Sequence, residues 1–88
     1  PARGRQQLDI SVPWQGKGKV MHELLANTKD QKRDLIDGIK IYHEQGWALV
    51  LPDGEDPLVW VYAEAPTHDE ADALAQLYMG QIDEAQLT

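Results

Sequence analysis

Hydrophobic positions recur along this chain with two periods, and the switches between them mark its elements. From Lys17 the spacing is helical, with Val20, Met21, Leu24, Leu25 and Thr28 on one side and Lys19, Glu23 and Asn27 on the other, which predicts a short amphipathic helix over 17–28. Residues 33–43, RDLIDGIKIYH, alternate instead, with Leu35 before Gly38 and Ile39 and Ile41 after it. A strand is expected there, bent or bulged at the glycine. The turn EQG leads into Trp47, Leu49 and Leu51, a second strand over 46–51. Asp53-Gly54 is a hairpin signal, and Pro57 opens a third strand over 57–64, where a first-position proline loses no ladder bond.

The last element is signalled most strongly. Thr67 followed three residues later by Glu70 forms a capping box after Pro66, and Asp69, Glu70 and Asp72 crowd the positive end of a helix dipole. Ala71, Leu74, Ala75, Tyr78 and Ile82 then recur at helical spacing, predicting a helix over 67–85 that lies on the sheet. Hairpins followed by a capped helix, without repeated βαβ units, imply an α+β fold: an antiparallel sheet of three to four strands with two helices on one face. Residues 1–15, polar with scattered Gly and Pro, read as a linker from a preceding domain, although LDISV has the composition of a short strand. Residues 16–88 read as the domain.

Length allows one small core in 88 residues. The chain opens at Pro1 rather than Met, as expected of a piece excised from a longer chain. With no cysteine, disulfides and thiolate metal sites are excluded, and the cytoplasm is the default compartment. No apolar run reaches the ~20 residues that span a bilayer, so no membrane association is expected. Charge is segregated: through residue 40 there are eight Lys and Arg against five acidic residues, and from Ile41 onward ten acidic residues and no Lys or Arg. Such a surface repels phosphate backbones, so nucleic acid is not an expected partner.

Chemistry is sparse. His22, His43 and His68 share no ligand spacing, Ser11 is the one serine, and Asp53, Glu55 and Asp56 match no calcium-loop pattern. No catalytic residue and no metal site are expected. Trp14, Trp47, Trp60 and the tyrosines are expected in the core or at its rim, since a nucleic-acid stacking platform would come with basic neighbours.

The stretch from GKGKVMHELL through DGIKIYHEQGWALVLPDGEDPLVWVYAEAPTHDEADALAQLY resembles the C-terminal domain of the α-D-phosphohexomutases, the phosphomannomutase and phosphoglucomutase family, over roughly residues 12–85. The resemblance implies a TATA-binding-protein-like fold and places LPDGEDP, residues 51–57, where that family has a phosphate-clasping loop reading Arg-Pro-Ser-Gly-Thr-Glu-Pro. Pro52, Gly54 and Pro57 keep its frame. Leu51 stands for its arginine, Asp53 for serine, Glu55 for threonine, Asp56 for glutamate and Trp60 for a second arginine. The expected loop is therefore degenerate. A carboxylate ~4 Å from one phosphate charge costs about 4 kcal/mol at an effective dielectric of ~20, and neither leucine nor tryptophan supplies arginine's planar fork. Backbone N–H groups around Gly54 remain as a small anion nest opposed by three carboxylates.

By the same resemblance, the phosphoserine, the magnesium ligands and the sugar-contacting loop belong to other domains, so no cofactor is expected here and magnesium only elsewhere in a full-length mutase. The expected partners are other domains of the parent chain and, weakly, hexose phosphate. The function implied is that of a mutase domain of hexose-phosphate metabolism that is not catalytic alone. The alternative is an assembly or regulatory module of a chain that joins a sugar nucleotidyltransferase to a mutase-like part, docking through Leu51, Val59 and Trp60.

Overall fold

The computed structural model describes residues 3–87. Its elements are β1 (Gly4–Ser11), a 3-10 turn (Trp14–Gly16), α1 (Lys17–Asn27), β2 (Arg33–Asp34), β3 (Ile39–Tyr42), β4 (Trp47–Pro52), β5 (Leu58–Ala65) and α2 (His68–Leu87). The five strands form one antiparallel sheet in the order β1-β5-β4-β3-β2. This is the expected α+β class with one strand more than the upper expectation.

The extra pairing comes from the segment read as a linker. Leu8 and Ile10 alternate with Gln7 and Asp9, and β1 pairs along its whole length with β5, from Gly4 opposite Ala65 to Ser11 opposite Leu58. Scattered polar residues concealed this because β1 is an edge strand with one solvated face. Both ends of α2 secure it: the His68 ring bonds the Arg5 carbonyl and the Gln86 amide donates to that of Ser11. Pro1 and Ala2 lie outside the described residues.

The 33–43 strand is broken in two. Gly38 has φ +133°, and a Cβ there would sit 2.4 Å from the Val50 carbonyl oxygen, so only glycine lets the chain turn so close to β4. Leu35 and Ile36 project into solvent at this turn.

Alternation places Ile39 and Ile41, Ala48 and Val50, and Val59, Val61, Ala63 and Ala65 on one face, beneath Val20 and Leu24 of α1 and Ala71, Ala75, Tyr78, Ile82 and Ala85 of α2. Thus Trp47, Leu49 and Leu51 of β4 point away from the core, as do Trp60 and Tyr62 of β5. Trp47 and Trp60, expected in the core or at its rim, are not in the core but partly buried on the opposite face of the sheet. Both faces of β4 and β5 are hydrophobic, so period two alone does not say which is covered. The alanines of α2 bring that helix close to the sheet, and small or β-branched residues fit beneath it where indoles do not.

The α2 cap forms as expected, the Glu70 amide donating to Thr67 Oγ1 at 3.1 Å. Leu74, expected in the buried stripe, packs against the core but stays half-exposed.

Candidate functional site

The β4–β5 hairpin presents residues 51–57 at the end of the sheet where the Gly38 turn and the start of α1 also lie. Leu51 and Pro52 finish β4 opposite Trp60 and Val59. The hairpin closes through the Asp53 amide, which donates to the Leu58 carbonyl at 3.0 Å, while the Leu58 amide donates to Asp56 O at 2.8 Å. Gly54, Glu55, Asp56 and Pro57 face solvent.

The loop is tied from within by two residues. The Asp53 carboxylate accepts the Glu55 amide at 2.8 Å, the Asp56 amide at 2.7 Å and the Trp60 indole N–H at 3.0 Å. Three donors thus converge on one carboxylate, and Asp53 is held below its ordinary carboxyl range, first by the Trp60 bond and then by the two backbone bonds, with Lys17 adding attraction. On the other side Lys17, at the first position of α1 and 8% exposed, reaches the Asp53 and Asp56 carbonyls at 2.6 Å each. Its ammonium lies 3.6 Å from the centre of the Trp14 ring, within cation–π range.

Each expected loop position can now be placed. The N–H groups near Gly54 expected to form an anion nest are taken by the protein's own carboxylate, so Asp53 fills the nest besides repelling an incoming anion. Trp60, at a position where the family often has arginine, provides one donor and turns it inward to Asp53. Leu51 lies on the open sheet face, Pro52 ends β4, Glu55 and Asp56 add negative charge in solvent, and Gly54 and Pro57 lie exposed in the turn. Val59 is fully buried beneath the helices, so it cannot belong to a docking surface. Lys17 and Trp14 were not among the expected site residues. A lysine opening an amphipathic helix looks like an ordinary solvated residue, and nothing local signals that the hairpin passes beside it.

Among the described residues, no three His, Cys, Asp or Glu side chains gather as a metal would require, and the Asp53 carboxylate is already committed to N–H donors. The residues present do not fit a magnesium ion. Among the described residues, no helix is long and apolar enough to cross a membrane.

The geometry is that of a two-layer α+β domain whose β4–β5 loop turns three N–H groups onto its own Asp53 carboxylate. No family model matches the chain. It is 34% identical over 61 residues to a phosphoglucomutase/phosphomannomutase of Thermococcus kodakarensis, a match covering 69% of this chain and 13% of that protein. A protein of Pyrococcus furiosus named as a probable phosphoglucosamine mutase is 36% identical over 80 residues, 86% of this chain and 18% of its own length. The phosphoglucosamine mutase of Methanococcus maripaludis is 31% identical over 70 residues, 76% of this chain and 16% of that one. These matches are consistent with a domain of the α-D-phosphohexomutase family, and the chain spans 13–18% of the length of the relatives named here.

Proposed function

We propose that this chain is the C-terminal domain of a cytoplasmic mutase-type protein of hexose-phosphate metabolism, and that it neither turns over substrate by itself nor grips phosphate through residues 51–57. One observation carries the reading: the three N–H donors that converge at the loop end on Asp53. The nearby Lys17 is likewise committed to two loop carbonyls. Magnesium and the phosphorylated residue of a mutase would belong to other parts of the parent protein.

A segment exchange tests this. The stretch of the Thermococcus kodakarensis phosphoglucomutase/phosphomannomutase that matches this chain is replaced by it, and interconversion of hexose 1- and 6-phosphates is assayed. Activity should fall steeply and return in part with Leu51→Arg, Asp53→Ser and Glu55→Thr together. Full activity of the unmodified chimera would contradict the proposal.

A second reading, an assembly or regulatory module such as one fused to a sugar nucleotidyltransferase, is favoured by exposed apolar side chains near the closed loop. Ile36 is 87% exposed, and Leu35 and Trp14 are each 51% exposed. Other domains of the parent chain are the partners this end would meet. Under that reading the chimera stays inactive even with the three substitutions.

A further inference from the structure

The sheet face left uncovered by the helices carries a second candidate site, away from the loop. A cleft of about 390 Å³ lies there, lined by Arg5, Gln6, Gln7, Trp47, Tyr62 and Ala63, a volume within the ~300–1,000 Å³ range of small-molecule sites. Trp47 comes from β4 and Tyr62 from β5; Tyr62 pairs with Leu49 and Trp47 with Glu64, so the two aromatic residues are diagonal neighbours on one face. Gln7 stands opposite Tyr62 and Arg5 opposite Glu64. The aromatic surface continues to Trp60, whose ring lies 6.2 Å from that of Tyr62 at an angle of 32°.

The polar groups beside the cleft select the ligand class. Glu64 is held by Arg3 at 3.1 Å and Arg5 at 3.0 Å, and Lys40 lies over the Trp47 ring at 4.5 Å from its centre. These cations are already engaged, so an anionic ligand would have to break their contacts. What remains is two aromatic side chains, a neutral amide and an ion pair with spare donor and acceptor capacity. Aromatic faces are electron-rich and attract the slightly positive C–H face of a flat saturated ring, while amide, guanidinium and carboxylate suit hydroxyls at its edge. We infer that this cleft binds an uncharged pyranose, as a free sugar or a unit of a glycan. The inference is independent of the loop and of any mutase activity, and it gives the partly buried indole and phenol of this face a ligand.

The test is a titration of the chain with maltose, cellobiose and N,N′-diacetylchitobiose, with glycerol and adenosine as controls, read by amide and indole NMR. At least one disaccharide should shift the Trp47 indole and the Gln7 and Tyr62 amides saturably with a Kd of about 1 mM, the weak range of a shallow site. Trp47→Ala should weaken that binding about tenfold or more, equivalent to ~1.4 kcal/mol. Gln7→Ala, on the edge strand and exposed, checks the site should the tryptophan variant misfold, and should also weaken it. Leu77→Ala, on the outer side of α2, should leave it unchanged. No saturation by about 50 mM sugar, equal shifts with glycerol, tighter binding of adenosine, or burial of Trp47 by self-association of the chain would each overturn the inference.

Discussion

Replacing Lys17 with methionine removes an ammonium but keeps an unbranched stem of similar length, and so isolates what the charge does for the loop. In the folded chain that ammonium donates to two carbonyls at 2.6 Å and lies 3.6 Å from the Trp14 ring centre. A hydrogen bond to a charged group contributes ~1.5–3 kcal/mol and an exposed cation–π contact ~0.5–1 kcal/mol. Against this stands the desolvation of an ammonium in a residue 8% exposed, which costs several kcal/mol for a fully buried ion and less near the surface. The loop carbonyls lie at the surface and recover water when the lysine is lost. The net expected cost of Lys17→Met is about 2 kcal/mol, roughly a thirtyfold fall in the folded-to-unfolded ratio. For a domain of this size that corresponds to about 8–16 °C in Tm. Urea and thermal unfolding followed by circular dichroism measure it, and the amides of residues 53–56 should shift in the folded variant. A loss below ~0.5 kcal/mol with unmoved loop amides would refute the reasoning, because it would mean that Asp53 alone shapes the hairpin.

Further outcomes follow from the same geometry. Ile41→Ala, at a fully buried position, should cost ~2–5 kcal/mol, whereas half-exposed Leu74→Ala should cost only about 1–2 kcal/mol; equal losses in urea denaturation would contradict the packing described. Gly38→Ala should cost at least ~2 kcal/mol, since it combines a left-handed φ with a clash on Val50 O, and a neutral effect on Tm would place the turn elsewhere. His43, half-buried and bonded to Tyr78 Oη at 2.8 Å, has its pKa lowered from 6.5 by burial. The unfolded chain therefore binds the proton first, and stability should decline as pH falls from about 6.5 through the lower folded value; a pH series in which His43→Gln shows the same decline would reject this. Little salt-sensitive binding of duplex DNA is expected, since ten acidic residues and no Lys or Arg follow Tyr42's neighbour Ile41, and micromolar binding at physiological salt would contradict it.

The elements most legible in the sequence were those with both a period and a terminator. The Thr67–Glu70 cap gave the start of α2 to within a residue, and the hairpin around residues 51–57 stands where Asp53-Gly54 and Pro57 placed it. Strand β1 was less legible because half of an edge strand's positions are polar, and its partner β5 is about fifty residues away, a separation that no local pattern reports. The faces of β4 and β5 were ambiguous for a related reason: indoles and leucines on one side and alanines and valines on the other are all apolar, and helix contact decided between them. At the loop, the family resemblance gave the expectation of carboxylates at positions where that family has donors. It could not show that one carboxylate folds back onto the N–H groups or that Lys17 arrives from α1, because both depend on side-chain direction and on a contact across thirty-six positions.

The central claim is that residues 51–57 keep the shape of a phosphate clasp whose donors are spent internally on Asp53. It is tested most directly by titrating the unmodified chain with glucose 1-phosphate, mannose 1-phosphate and inorganic phosphate while recording the amides of Gly54, Glu55 and Asp56 and the Trp60 indole. The account predicts that these signals stay in place up to millimolar ligand. Saturable shifts at those positions with a Kd in the micromolar range, about −8 kcal/mol of binding free energy, would show that phosphate displaces the carboxylate and would contradict it.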